Sequence, residues 1–380
     1  MTQYRSANEA RSKAGGAPEN CPLAKRQLNG VTPPFDAKQQ YVSNQGAHKF
    51  VAPSGNDQRG PCPGLNAMAN HGYLPYNGVG TITDFINGCQ EALGMGADIA
   101  TVLAVYGAVF DGDLTSYSIG GPHPSLLNLG GPLNTPQGLS GSNNKYEGEW
   151  EFGGSRRAYK IPRPTFPRIN SKQPLLLQRT LRRSYSSTSG VGFTYRFMGN
   201  KSAEHPTGLL DGETLKAFYS VTGDYPNFKY TPGYEKFPDN WYKRNLVDYY
   251  TIPYVVEDSV IMEAQYPEFF SVGGNTGKTN SFVGVNPSDL TGGVFNADSL
   301  LEGNNMFCYG LQASVQEAPD ILSGLFTDVS AALNKLTSAV NPVASSLGCP
   351  KLDSINKAQF NMRNDMDYTR VVKEMGGVVL

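Results

Sequence analysis

The sequence predicts a mainly α protein: a single helical domain with long loops and few short strands. Three observations carry that prediction. Helical patterns recur from Pro63 to Val340, whereas strand signals are few and short. The 43 glycines and 26 prolines fall largely between the helical stretches and mark long loops. No internal repeat divides the chain, and 380 residues suffice to bury one large core together with a cofactor.

Residues 1–60 show little periodicity and read as an irregular arm. Within it, residues 1–26 are expected to be a leader or disordered arm, or a misread start. Lys25-Arg26 fits a propeptide cleavage site or simply two solvated charges. The main domain is expected over 27–350, with 351–380 as a C-terminal tail. Structure begins at Gly60-Pro61-Cys62-Pro63-Gly64. Pro63 suits the first position of a helix, where its missing N–H costs nothing, and Gly72 and Pro75 stop that helix. Thr81–Gln90 reads as the next helix, with Thr81 or Thr83 as its cap, and Asp98–Phe110 as the one after. Asp111–Gly154 is mostly loop. Helical patterns return at Leu209–Val221, Asn240–Tyr250, Val256–Phe269, Ala297–Gln316 and Ala318–Val340.

A net charge of −1 gives no reason to expect nucleic acid or an anionic membrane as partner. No apolar run reaches the roughly 20 residues that span a bilayer. The first twenty residues are polar and lack the apolar core of a secretory signal. A monomer is the default.

One stretch departs from this balance. Phe152–Ala203 has no Asp or Glu yet carries 11 of the 32 Lys and Arg. Residues 150–192 are set apart within the domain as an atypical basic segment. It reads as an anion-binding loop, a disordered insert, or a translated intron or frameshift.

The cysteines are Cys21, Cys62, Cys89, Cys308 and Cys349. Five is odd, so any disulfide scheme leaves at least one out. The four histidines are scattered, which argues against a multi-histidine metal site. Cys89 lies on a helix and reads as a small core residue; Cys21 lies in the leader.

Cys62 is different because it stands just before a helix. First-turn N–H groups and the positive end of the helix dipole favour a thiolate there and lower its pKa. Flanking Pro61 and Pro63 fix the backbone and let a flat ligand approach. On the residues alone, an inert buried thiol and an activated thiolate both stand open.

The run GPCPGLNAMANHGYLPYNG, Gly60–Gly78, closely resembles the haem-thiolate peroxidase family of fungi, which includes chloroperoxidase and the unspecific or aromatic peroxygenases. AVYGAVFDGDLTSYSIGG (Ala104–Gly121), NNKYEG (Asn143–Gly148) and YRFMGNKSAE (Tyr195–Glu204) are similar to the same family. So are NFKYTPGYEKFPDNWYKR (Asn227–Arg244) and SVGGNTGKTNSFVGV (Ser271–Val285). The resemblance covers most of 26–350 except about 150–192.

It implies a haem b iron bound through Cys62 as axial ligand, with Pro61 and Pro63 beside it. It implies that hydrogen peroxide is used to oxygenate or oxidise small apolar or aromatic organic substrates. Glu235, in GYEKFP, is implied as the distal acid–base group, with no helper identified. Glu147 and Gly148 match the family's Glu-Gly-Asp magnesium motif, but Glu149 replaces the Asp and Glu151 the following Ser. A Cys308–Cys349 disulfide is implied, and with it a secreted protein. Asn200-Lys201-Ser202 adds a glycosylation sequon.

His71 reads as a helix-end histidine bonded to backbone rather than as a catalyst, because it lies so near Cys62. Two rival readings remain. One is a chloroperoxidase-like halogenating enzyme or a pathway-specific secondary-metabolite oxidase; the other is a catalytically impaired haem-binding protein.

Overall fold

The structure is a computed structural model describing residues 33–128, 136–140, 193–224, 227–265, 273–275, 282–284, 286–296, 299–322, 326 and 328–356. Glu147, Gly148, Cys21, the leader and the basic segment 150–192 lie outside the described residues.

A short α1 (Ala37–Gln40), capped by Asp36, leads to α2 (Pro63–Asn70), which starts with Pro63 immediately after Cys62. The cap of α3 (Ile82–Leu93) is Thr81. It forms a capping box with Asp84, satisfying two end N–H groups reciprocally. Gly94, at φ +68°, closes α3 in the left-handed conformation that a side chain resists. The apolar α4 (Ala97–Tyr106) follows, with Ile99, Ala100, Val102, Ala104 and Val105 buried. Its last turn widens into a π-helix, Gly107–Asp111.

Beyond the loops come α5 (Gly212–Phe218), α6 (Ile252–Gln265), α7 (Pro287–Thr291), α8 (Asn305–Ile321) and α9 (Ser330–Ser346). Among the described residues, three antiparallel two-stranded pairs complete the fold. They are β1 (Val79–Thr81) with β2 (Ser116–Ser118), β3 (Val221–Thr222) with β4 (Lys229–Tyr230), and β5 (Gly273–Asn275) with β6 (Phe282–Gly284). The fold is mainly α, as the periodicity predicts.

The core is built where α4 packs between α3 and α9, with α8 against α9. An aromatic group, Phe218, Phe237 and Trp241, joins α5 to the loop after β4. Ring centroids there lie 5.3–5.5 Å apart, largely edge-on. A smaller cluster gathers Leu290, Phe295, Met306, Cys308, Tyr309, Leu352 and Ile355.

Three sequence expectations need correction. Asn240–Tyr250 is not a helix. Its backbone pairs instead with separate segments, Tyr242 with Tyr41 and Tyr250 with Met95, and Lys243 N–H donates to Gln40 O. Tertiary partners override the local helical pattern. The helix expected to end at Gln316 runs on through Pro319 to Ile321. The domain does not stop at 350, because Leu352 and Ile355 are buried and Leu352 N–H donates to Gln312 Oε1 at 2.8 Å.

Cys308 and Cys349 are joined by a disulfide across 41 residues. It ties α8 to the segment after α9. Closing a loop of that length in the unfolded chain stabilises the fold by about 4 kcal/mol in the chain-entropy account. The Cys308→Ser/Cys349→Ser variant is expected to lose most of that, read as a lowered midpoint in urea unfolding.

Candidate active site

Cys62 occupies the N-cap position of α2 with extended backbone, φ −87° and ψ 109°. Its thiol is exposed while the helix behind it is sealed: Ala67, Met68 and Ala69 are fully buried. At this end of a helix the first N–H groups have no intrahelical acceptor, so the field favours a thiolate. Cys89 on α3, Tyr117 on β2 and Tyr219 after α5 all feel the charge of Cys62. Burial, chiefly, pushes the Cys89 thiol and the Tyr219 hydroxyl up to about 12, so both stay protonated. Cys89 is the small core residue the sequence predicts.

The segment before Cys62 is held by side chains from α2 itself. Asn66 makes a two-point clamp on Gly60: its Oδ1 accepts from Gly60 N–H and its Nδ2 donates to Gly60 O, each at 2.9 Å. Arg59 Nε donates to Asn70 Oδ1 at 2.8 Å, and its Nη1 donates to Gln58 O and Tyr76 O. Gly121 N–H donates to Gln58 Oε1. Glycine is required where the backbones touch. A Cβ on Gly60 would stand 1.7 Å from Ile119 O, and one on Gly120 would stand 2.9 Å from Arg59 N and O.

The loop 233–237 is bonded to the C-terminal end of α2. Asn70 Nδ2 donates to Gly233 O at 2.8 Å and to Glu235 O at 2.7 Å. His71 Nδ1 faces His48 O at 2.7 Å, and Phe237 N–H donates to His71 Nε2. With Nε2 accepting, Nδ1 must carry the proton, so the ring is neutral. That is the structural role the sequence predicts for His71.

Burial, chiefly, lowers the His71 pKa from its ordinary 6.5, against the opposing pull of the His48 carbonyl. The unfolded chain therefore takes up the proton first. The contribution of His71 to stability is complete above pH 6.5 and is lost as pH falls through its folded value. Unfolding free energy measured between about pH 7 and pH 5 is expected to fall more steeply in the wild type than in His71→Asn.

Glu235 is brought to this assembly. It is 3% exposed, and its Oε2 is buried without a hydrogen-bond partner. Burial raises its pKa. Its own N–H, Asn66, the Gly233 N–H and the charge of Arg59 pull the other way. The neutral form of this buried carboxyl is therefore favoured, and the acid–base role that the resemblance implies for Glu235 stands as a proposal.

Asn66 and Asn70 are residues that sequence reasoning missed. The signal was available: Cys62, Asn66 and Asn70 recur every four residues on one helix face, and both amides are buried.

YRFMGNKSAE also carries structure. Arg196 pairs with Asp258 on α6, and Tyr250 OH donates to the same carboxylate at 2.8 Å. Asn200 Oδ1 accepts from Tyr242 N–H at 2.9 Å, and its Nδ2 donates to Asn240 O at 3.4 Å.

Residues 48–150 match the model of peroxidase, family 2, which spans the whole Cys62 segment. The dothistromin biosynthesis peroxidase dotB of Dothistroma septosporum is 37% identical over 371 residues, with 88% of each chain covered. The chain belongs to this peroxidase family. It is thus a peroxidase-type oxidoreductase of the fungal haem-thiolate group. The aromatic peroxidase fscJ of Fusarium equiseti is 34% identical, covering 84% of this chain and 82% of its own. An aromatic peroxygenase of Cyclocybe aegerita is 34% identical over 152 residues, covering 34% of this chain and 41% of its own. Family members imply haem as the cofactor and hydrogen peroxide as the oxidant. No helix among the described residues is long and apolar enough to cross a membrane.

Proposed function

We propose that this peroxidase uses hydrogen peroxide to oxidise or oxygenate a small aromatic metabolite in a biosynthetic pathway, with haem b bound through the Cys62 thiolate. The observation that carries this is Cys62 itself: an exposed thiol at the positive end of a sealed helix, inside the segment matched by the family.

The residues present fit the cofactor. One soft sulfur donor is offered, as a haem iron requires from one axial side. Pro61 and Pro63 bring no donor of their own, and Asn66 and Arg59 hold the segment from behind. A thiolate-ligated haem supplies the peroxide O–O cleavage. The chain supplies the ligand, its orientation and the buried field around it.

The aromatic and pathway-specific parts of the reading rest on the two relatives that match nearly full length, one named a biosynthesis peroxidase and the other an aromatic peroxidase. A magnesium ion at Glu147 and Gly148 belongs to the same proposal, supported by the sequence motif. Secretion belongs to it as well, supported by the Cys308–Cys349 disulfide, which suits an oxidising compartment.

The test is a peroxide assay of haem-loaded protein with an aryl alcohol, a polycyclic phenol, an alkane and chloride. Oxidation of the aromatic compounds with little halogenation is the expected result. Dominant chloride oxidation would replace the substrate assignment with a halogenating one. Peroxide turnover with none of them would overturn the proposal.

A further inference from the structure

Trp241 is fully buried, and neither cofactor binding nor proton transfer uses it. We propose that Tyr41, paired with Tyr242 and fed through Trp241, is a surface site of one-electron oxidation for phenols too bulky to reach the buried Glu235. The inference rests on the proposed roles of Cys62 and Glu235, which set the cofactor beside loop 233–237.

The path starts at that loop. Phe237 follows Glu235 by two residues, and its N–H donates to His71 Nε2 at 3.2 Å, at the end of the helix that Cys62 begins. The Phe237 and Trp241 rings lie 5.3 Å apart. Tryptophan and tyrosine are the aromatic side chains that release one electron most readily. The Trp241 indole N–H donates to Met198 O at 3.0 Å, and that carbonyl favours positive charge on the ring.

From Trp241 the contacts lead outward. Val42 N–H donates to Trp241 O at 3.1 Å and Lys243 N–H to Gln40 O at 2.8 Å, with Tyr41 and Tyr242 paired between these bonds. The two tyrosine rings are 5.7 Å apart, and Phe35 stands edge-on to Tyr242 at 5.2 Å. Tyr41 is 38% exposed, so the path ends in solvent. Tyr250 and Tyr254 also stack, 6.0 Å apart, but Arg244 lies over both rings, 5.7 and 4.1 Å from their centroids. A cation on the ring face opposes loss of an electron. Among the described residues, no cation stacks on Trp241, Tyr242 or Tyr41.

The electrons balance with peroxide as oxidant. Trp241 gives one electron to the peroxide-oxidised haem, Tyr242 refills Trp241, and Tyr41 refills Tyr242. Tyr41 releases its phenolic proton to water and becomes a neutral radical. An external phenol returns one electron and one proton to Tyr41 and leaves as a phenoxyl radical. Two such turns consume one peroxide and form two waters.

The experiment compares haem-loaded wild type with Tyr41→Phe and Trp241→Phe. It reads peroxide-driven oxidation of a phenol coupled to a large dextran, oxidation of a small aryl alcohol, and the freeze-quench electron paramagnetic resonance spectrum after peroxide alone. Both variants are expected to lose at least about fivefold of the dextran–phenol rate and to keep the aryl alcohol rate. The wild type should show a tyrosyl radical, weakened in Tyr41→Phe and lost in Trp241→Phe. Tyr41→Phe changes only a partly exposed hydroxyl, so its result stands even if Trp241→Phe folds poorly.

An unchanged dextran–phenol rate in Tyr41→Phe would overturn the inference, as would a wild type that leaves that substrate untouched while oxidising the small alcohol. A wild type that lacks the thiolate-type CO band and consumes no peroxide would instead overturn the ligation beneath it, which keeps the two failures apart.

Discussion

Cys62→Ser is expected to fold at least as well as the wild type and to lose both the thiolate CO band and peroxide turnover. The two halves have separate causes. Cys62 caps α2 without a side-chain hydrogen bond. Serine is among the preferred N-cap residues, because its hydroxyl accepts from a first-turn N–H. The helix should therefore gain about 0.5–1 kcal/mol. A serine hydroxyl stays protonated where a thiol ionises, so the electron-rich sulfur donor is gone. If that donor lowers the barrier to peroxide cleavage by ~3 kcal/mol or more, turnover falls by about a hundredfold or more. Thermal unfolding and a peroxide assay on the same preparation read the two halves. Intact turnover in a serine variant would remove Cys62 from the site.

Gly60→Ala is expected to destabilise the domain by roughly 3–4 kcal/mol, the largest effect of any single methyl group near the site. Its Cβ would fall 1.7 Å from Ile119 O and 2.8 Å from Ile119 C, both backbone atoms. Neither can swing aside as a flexible side chain does. Overpacking of this kind costs about 1–3 kcal/mol. The forced separation also strains the two Asn66–Gly60 bonds, each of which contributes about 1 kcal/mol. Gly212→Ala is the control. Nothing lies within 4 Å of its Cβ, and it is expected to be neutral or slightly stabilising. Urea midpoints of the two variants against wild type decide the matter. Haem uptake by Gly60→Ala should fall together with its stability.

Much of the helical skeleton is legible in the sequence because its ends are chemically marked. Pro63 opens α2, and Thr81 with Asp84 opens α3. Asn240–Tyr250 misleads because its apolar spacing serves side chains of an extended segment, with Trp241 fully buried and Tyr250 nearly so. Nothing local announces that its backbone will pair with Tyr41 and Met95, both more than 150 residues earlier. The ligand position is legible because Cys62 and its prolines are contiguous. The residues around it are less so, since loop 233–237 meets Asn70 only after a long excursion of the chain. A motif displays which residues travel together, and not which side of a helix they reach.

The clamps around Cys62 run almost entirely between side chains and main chain of the same polypeptide: Asn66 to Gly60, Asn70 to loop 233–237, Arg59 to two carbonyls. The entropy of ordering that segment is therefore spent during folding, and little is left to spend when the iron arrives. A chain built this way can acquire its cofactor late, as a finished fold meeting a free porphyrin, instead of needing the porphyrin as a nucleus. Folding and arming then become two separate events.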